Sequence, residues 1–527
     1  MRMSWFSAES PLFPEIVALH GKWQGAKPAV VQDDRVLSWR DFDAHTNRVA
    51  NALHALGVRR GDRVAVLMHN SLEMLEAIWG VIKAGAVVVP LNLSITDDAV
   101  AAMVADAAAV AVIASDEQCQ RIEALRPRLG SLLAEGCIGL DPVAPLPGLR
   151  DYRDWRDAAA ASDPRVAIAD DDECNIIYSS GTTGLPKGIV HTHRRRLDWA
   201  YDLAIALRYH CGARTLCSLG LYSNISWAGF LCTLLAGGTV VVMRAFEPGA
   251  LLETVERERI THGAMVPLQF QRILEHPGFD RRDVSSLRSL MCCGSPLAAP
   301  LKAEVVRRLR CELIELYGLT EGLITTLAPE DVERKLASVG KPLPGTDIRI
   351  LGPDDRDVPP GEPGEIVGRG RIVMAGYHAR PDANAEATWV DELGRRWLRT
   401  GDVGRLDEEG FLYIVDRKKD MILSGGQNVY PADIEAVMFG HPDVAEVAVV
   451  GVPSERWGET PLAVVVPRPG AGRDADALLA WTNARVGKQQ RISGLVWRDS
   501  LPRNPNGKIL KRELRAELTR ATGTQAG

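Results

Sequence analysis

A hydroxyl- and glycine-rich stretch, Tyr178-Ser179-Ser180-Gly181-Thr182-Thr183-Gly184-Leu185-Pro186-Lys187-Gly188, carries the residue types that hold polyphosphate. Glycines let backbone N–H groups close on an anion, the hydroxyls of Ser179, Ser180, Thr182 and Thr183 add donors, and Lys187 adds a mobile point charge. Ile176-Ile177 and Ile189-Val190 flank the stretch, so it is expected to be a loop between two strands. The Gly-x4-Gly-Lys-Ser/Thr pattern of P-loop hydrolases cannot be fitted, because Lys187 follows Pro186 and precedes Gly188. A Ser/Thr/Gly surface linker has the same composition; what decides between the two lies downstream.

Four further stretches could share its chemistry. Cys293-Gly294-Ser295-Pro296-Leu297 reads as a tight turn after Leu290-Met291, and Tyr317-Gly318-Leu319-Thr320-Glu321 follows the apolar Leu313-Ile314. Arg399-Thr400-Gly401-Asp402 and Asn504-Pro505-Asn506-Gly507-Lys508-Ile509 complete the set. Each alone is an ordinary turn, edge strand or solvated lysine. Their order and spacing together resemble the adenylate-forming superfamily: acyl-CoA synthetases, adenylation domains of peptide synthetases and beetle luciferases. The resemblance runs from about residue 37 to residue 514. That family's phosphate loop reads Tyr-Thr-Ser-Gly-Thr-Thr-Gly-x-Pro-Lys-Gly, and Ser179 alone departs from it.

The resemblance implies an α/β protein, with a large N-terminal adenylation domain (1–415), a hinge (416–420) and a small mobile α+β C-terminal domain (421–527). It implies a two-step ligase. ATP and a carboxylic acid give an acyl-adenylate and pyrophosphate, and a thiol, usually coenzyme A, then displaces AMP. Two anions must meet in the first step, so positioning and charge screening supply most of the catalysis.

Carried over by position, Ser180, Gly181, Thr182, Thr183, Gly184 and Lys187 would cradle the β- and γ-phosphates, with Ser179 leading in. Thr320 would donate to phosphate oxygens and Glu321 would ligate Mg²⁺, a hard ion that prefers oxygen. Gly294, Ser295 and Pro296 would line the adenine, with Tyr317 stacked on it and Gly318 beside it. Asp402 would accept from both ribose hydroxyls, and Arg417 would approach the ribose or α-phosphate. Lys508 would bridge the two reacting anions and then withdraw as the C-terminal domain turns on Lys419. The turn bearing Gly425 and Gly426 would then admit the pantetheine arm.

Tyr222, Asn224, Ile225, Trp227, Ala228, Gly318, Leu319 and Leu323 would form the acyl pocket. Apolar walls, and no Arg or Lys within these segments, argue for an uncharged fatty, aromatic or alicyclic monocarboxylic acid. Ser223 stands where many relatives carry a gating His, and Glu315 where Asn or Gln is frequent near the adenine; Cys293 and Ser295 replace the commoner Gly and Ala. Arg194-Arg195-Arg196 reads as a solvated helix start, with coenzyme A phosphates as the competing reading. A stand-alone loader of a carrier protein is the alternative enzyme, and a non-catalytic binding protein on the same scaffold the alternative class. The second predicts erosion of Lys187, Glu321, Asp402, Arg417 or Lys508, and all five are present.

The elements that must position these residues alternate. A helix with Phe42, Thr46, Val49, Leu53 and Leu56 on one face is expected to end at Gly57, followed by strand 63–67, a helix around 72–82 and strand 86–90. Such alternation argues for layered, largely parallel sheets. Residues 138–172 read as a surface connection, and 340–376 as a β-leaning, Gly/Pro-rich region. Beyond Asp416-Arg417-Lys418-Lys419-Asp420 a helix from Pro431, strands at 444–452 and 462–467 and a helix from Asp474 are expected.

With 527 residues the chain exceeds one ordinary core. Sixty-two basic against 68 acidic residues, a formal net charge of -6, speak against a nucleic-acid or membrane-surface protein. Nine scattered cysteines without a Cys-x-x-Cys pair fit a reducing, cytoplasmic setting. The uncharged run 215–243 is broken by Gly237-Gly238, which favours a buried helix, turn and strand over a membrane span. A homodimer is among the expected assemblies.

Overall fold

The computed structural model describes residues 10–146, 148–179, 186–425, 427–454, 456–503 and 508–523. Ser180, Gly181, Thr182, Thr183, Gly184 and Gly426 of the expected site lie outside the described residues. The chain forms two compact units. The first comprises Met1–Leu336, Pro342–Asp347 and Arg369–Thr388; the second comprises Ala337–Lys341, Ile348–Gly368 and Trp389–Gly527.

The first unit is α/β. In one sheet a run of parallel strands passes from Pro28–Gln32 through Thr239–Val242, Arg214–Cys217, His262–Met265 and Ser289–Cys292 to Glu312–Gly318. A second sheet orders Gly376–Tyr377, Lys187–Thr192, Glu173–Ser179, Val87–Pro90, Arg63–Leu67, Ala109–Ser115, Cys137–Leu140 and Arg150–Asp151. Its first two junctions are antiparallel and the rest parallel. Helices cover these strands, which is why runs such as Thr239-Val240-Val241-Val242 are buried throughout rather than at alternate positions.

Helix Trp39–Ala55 buries Phe42, Thr46, Val49 and Leu53 as its 3.6-residue period requires, and Ser38 caps it by accepting from the Asp41 N–H. Helix Leu72–Lys83 packs beside it, and Trp39, Trp79, Trp227 and Phe230 anchor the same core. The uncharged run resolves into helix Asn224–Ala236, a left-handed Gly237 (φ 72°) and strand Thr239–Val242. No helix among the described residues is long and apolar enough to cross a membrane.

The segment 138–172 departs from the expected surface connection. It contributes strands Cys137–Leu140 and Arg150–Asp151 and helix Tyr152–Asp157. Tyr152 is fully buried, and its hydroxyl donates to Glu76 Oε2 (3.3 Å) beside the Arg156–Glu76 ion pair (2.7 Å). Tyr152, Trp155 and one buried ion pair, too sparse to make a period, seat this segment on the core.

The second unit holds two mainly antiparallel sheets. Thr346–Leu351, Gly364–Gly370, Arg396–Leu406 and Thr388–Val390 form one, with Leu412–Arg417 also along the long strand. Gln427–Val429, Ile422–Ser424, Gly458–Pro467 and Val444–Ser454 form the other, joined by the parallel Gly494–Trp497. Helices Pro431–Phe439, Ala475–Asn483 and Lys511–Gly523 cover the second sheet on both faces.

Candidate active site

Within the first unit, an antiparallel pair flanks the stretch expected to hold phosphate. Strands Glu173–Ser179 and Lys187–Thr192 are registered Ser179 opposite Lys187, so the lysine stands at the loop's exit. Strand Gly376–Tyr377 pairs with the outer side of Lys187–Thr192. Lys187 Nζ thereby lies 4.8 Å from the centroid of the Tyr377 ring, whose hydroxyl donates to Glu321 Oε1 at 2.9 Å. Burial first, and then the Glu321 charge, pushes the Tyr377 phenol up, so it remains a donor. A phosphate-type cation and a metal-type carboxylate are thus joined through one phenol, which the sequence reading missed.

The Thr320–Glu321 turn is tied down from two sides. His191 Nε2 donates to the Thr320 carbonyl at 2.8 Å, and the Met374 N–H to the Glu321 carbonyl at 2.7 Å. Burial, followed by the nearby Arg196 charge, holds the His191 imidazole well below its usual range, so it is neutral. Gly322 closes the turn at φ 99°, and a Cβ there would sit 2.1 Å from the Ile372 carbonyl oxygen. Only glycine fits.

The turn bearing Gly294, Ser295 and Pro296, expected to line the adenine, follows strand Ser289–Cys292. Tyr317 and Gly318 end strand Glu312–Gly318. Glu315, expected to alter an adenine contact, points inward instead. Its carboxylate accepts from the Leu297 N–H at 3.1 Å and pairs with buried Lys302, bracing the turn from beneath. Burial pushes the Cys293 thiol up to about 12, so it is an inert neighbour.

The residues expected to form the acyl pocket divide. Trp227, Ala228 and Leu323 are buried in the core, whereas Tyr222, Asn224, Ile225, Gly318 and Leu319 keep part of their surface. Trp227 Nε1 donates to the Leu221 carbonyl at 3.0 Å, so the indole is fixed as a wall. Ser223 is the N-cap of helix Asn224–Ala236, its hydroxyl accepting from the Ile225 N–H at 3.4 Å; an N-cap is a reason for serine there.

The reading of Arg194-Arg195-Arg196 as a solvated helix start is corrected. Arg194 pairs with Asp170 (2.9 Å), Arg195 donates to the Val373 and Met374 carbonyls, and Arg196 is only 1 % exposed. A helix buries one side, and the third arginine falls on it. No Arg or Lys lies within the acyl segments themselves, but one reaches them from outside: Arg196 Nη1 donates to Asn224 Oδ1 at 3.0 Å. Being wholly buried, the guanidinium does not meet a second carboxylate, so the preference for an uncharged tail is kept on different ground.

Within the second unit, charged groups converge from separate segments. Asp402 lies opposite Arg417 in the pairing of Arg396–Leu406 with Leu412–Arg417, and Arg417 Nε stands 3.3 Å from Asp402 Oδ1. Lys508 is brought beside them. Burial, then Arg417 and Lys419 against Asp402 and Asp420, brings its pKa down to about 7. Burial and Arg417 lower Lys419 as well.

The charge run is anchored at its first residue, while Lys418 is 61 % exposed. Asp416 is buried and accepts from the Ala432 N–H (3.0 Å), capping helix Pro431–Phe439, and Lys418 pairs with Glu365 (3.0 Å). Gly425 turns at φ 58° against the half-exposed Trp457 ring, another residue the sequence did not single out. Each unit therefore presents cations and carboxylates suited to a phosphorylated, polyanionic ligand.

Comparison with known proteins agrees with this chemistry. The family model described as AMP-binding enzyme matches residues 19–378, and that of the AMP-binding enzyme C-terminal domain matches residues 433–508. The chain is 39% identical over 492 residues to a feruloyl-CoA synthase of an Amycolatopsis species, covering 92% of this chain and 95% of the relative. It is 34% identical over 486 residues to the long-chain-fatty-acid–CoA ligase FadD13 of Mycobacterium tuberculosis, covering 92% and 93%. ATP-bound MatB from Rhodopseudomonas palustris superposes with a TM-score of 0.86 at 28% identity, over 97% of this chain and 99% of that one.

Proposed function

The chain belongs to the family of AMP-binding enzymes, and from that premise we propose that it is an AMP-forming acyl-CoA ligase for an uncharged aromatic or fatty acid. Relatives named for ferulate and for long-chain fatty acids bracket that range. One observation carries the reading: Arg417 stands 3.3 Å from the buried Asp402 carboxylate, and the same carboxylate's charge acts on Lys419 and on Lys508, which is far along the chain.

In this reading ATP binds with its ribose hydroxyls donating to Asp402 and its β- and γ-phosphates in the loop 180–187. Thr320 and Lys187 contact phosphate oxygens. Glu321, a hard oxygen donor held by the Tyr377 hydroxyl, suits a magnesium ion. Such an ion, when bound, screens phosphate charge. Lys508 aligns the acid's carboxylate with the α-phosphate, where the new acyl–phosphate bond forms as pyrophosphate leaves. Lys419 is the hinge between 1–415 and 421–527 that withdraws Lys508, and Gly425 and Gly426 then pass the pantetheine arm so that the coenzyme A sulfur displaces AMP. Nine free cysteines suit a cytoplasmic setting.

The test is a panel of acids from acetate through long-chain and aryl members, each assayed for pyrophosphate with and without coenzyme A. Acid-dependent pyrophosphate and coenzyme A-dependent AMP in equal amounts are expected. Turnover that ignores coenzyme A but needs a carrier protein would replace the ligase with the carrier-loading enzyme. No acid-dependent pyrophosphate would leave a binding protein.

A further inference from the structure

Among the wholly buried cations, Arg196 is set apart by what it lacks. Buried Lys302 has Glu315 and buried Lys83 has Asp43, whereas among the described residues no carboxylate pairs with Arg196. Its Nε donates to Asn175 Oδ1 (2.7 Å), its Nη1 to Asn224 Oδ1 (3.0 Å), and its Nη2 is buried without an acceptor among the described residues. The guanidinium lies 5.0 Å from the ring centroids of both Trp199 and Trp227, which hold it in place.

A guanidinium only donates, so Asn224 must turn its oxygen toward Arg196. The Asn224 amide nitrogen then remains without an acceptor among the described residues. It belongs to a half-buried residue at the start of helix Asn224–Ala236. A freely rotating asparagine offers oxygen or nitrogen at will and separates no ligands by polarity. One whose oxygen is taken offers N–H alone.

We propose that Arg196 is a positioning residue that fixes the polarity of Asn224, so that the acyl pocket selects an uncharged acid bearing an acceptor oxygen, an ether or keto group, on its tail. The inference rests on the ligase reading and on Asn224 lining the acyl pocket. It deepens that reading from an apolar tail to a tail with one acceptor. The unneutralised charge behind the amide adds to the preference, because it polarises the N–H toward an electron-rich atom.

Matched acids that differ by one oxygen test it: cinnamate against 4-methoxycinnamate, and decanoate against 9-oxodecanoate, read as the ratio of kcat/KM for coenzyme A-dependent AMP release. The native enzyme is expected to favour the oxygenated member of at least one pair by about tenfold, the scale of one hydrogen bond. Asn224→Asp keeps an acceptor facing Arg196 and removes the donor, and is expected to bring that ratio to one or below. Arg196→Lys keeps the buried charge but loses the fork, and should lower the ratio at least threefold. An unmoved ratio in Asn224→Asp, or turnover confined to acids without such an oxygen, overturns the inference and leaves the ligase intact. No acid-dependent AMP here or across the wider panel overturns the ligase reading and takes this one with it.

Discussion

At the scale of single residues, the proposed function makes Lys508 the group that separates the two half-reactions. Lys508→Ala is expected to slow adenylate formation about a thousandfold, the cost of losing one preorganised charge contact to a developing anion. Thioester formation from supplied acyl-adenylate should change by less than about threefold. Equal loss of both would contradict the assignment. The lysine also gives a proton signature. With its pKa brought from 10.5 to about 7, chiefly by burial, it is mostly neutral at pH 8 and charged at pH 6. Bound phosphates favour the charged form, so ATP binding at pH 8 should take up close to one proton, and at pH 6 almost none. Calorimetry in buffers of different ionisation enthalpy measures this; the same uptake in Lys508→Met would rule the lysine out as its source.

At the scale of elements, the turn at 294–297, proposed to line the adenine, is braced by the buried Lys302–Glu315 pair. Lys302→Met leaves Glu315 buried without its partner and should cost about 3–5 kcal/mol, and adding Glu315→Gln should recover most of it. Burial already raises the Glu315 pKa above 4.5, and losing Lys302 raises it further. A carboxyl with a raised folded pKa favours the folded state when protonated, so stability is lost as pH rises through the window above 4.5. The Lys302→Met deficit in chemical denaturation is therefore expected to be larger at pH 8 than at pH 5; a deficit independent of pH would contradict the account. Elements with local signals were legible in the sequence. Strand Arg63–Leu67 is a buried apolar run, and helix Pro431–Phe439 starts at a proline. Tyr377 and His191 were not legible, because their partners Glu321 and Thr320 lie 56 and 129 residues away. Arg196 was misread because a run of three arginines resembles solvent-facing charge, and only the helix's packing shows which one turns inward. Ser223 looked like a departure from a catalytic pattern, whereas locally it is a cap.

At the scale of the whole molecule, the reading requires the C-terminal segment to serve two chemical states in turn. Lys419→Pro, which fixes φ at the hinge, should leave adenylation within about threefold and lower the coenzyme A step about a hundredfold; an unchanged coenzyme A step would remove Lys419 from that role. The large-scale architecture was legible from the alternation of strands and helices. The grouping of 348–368 with 389–527 in one compact unit was not, because it depends on sheet pairing between distant strands. The most direct measurement follows ATP, coenzyme A and an aryl or long-chain acid in one reaction. Equal yields of pyrophosphate, AMP and acyl thioester are predicted, with pyrophosphate strictly dependent on the acid. ATP consumed to ADP and phosphate, or pyrophosphate released with no thioester formed at any acid tested, would contradict it.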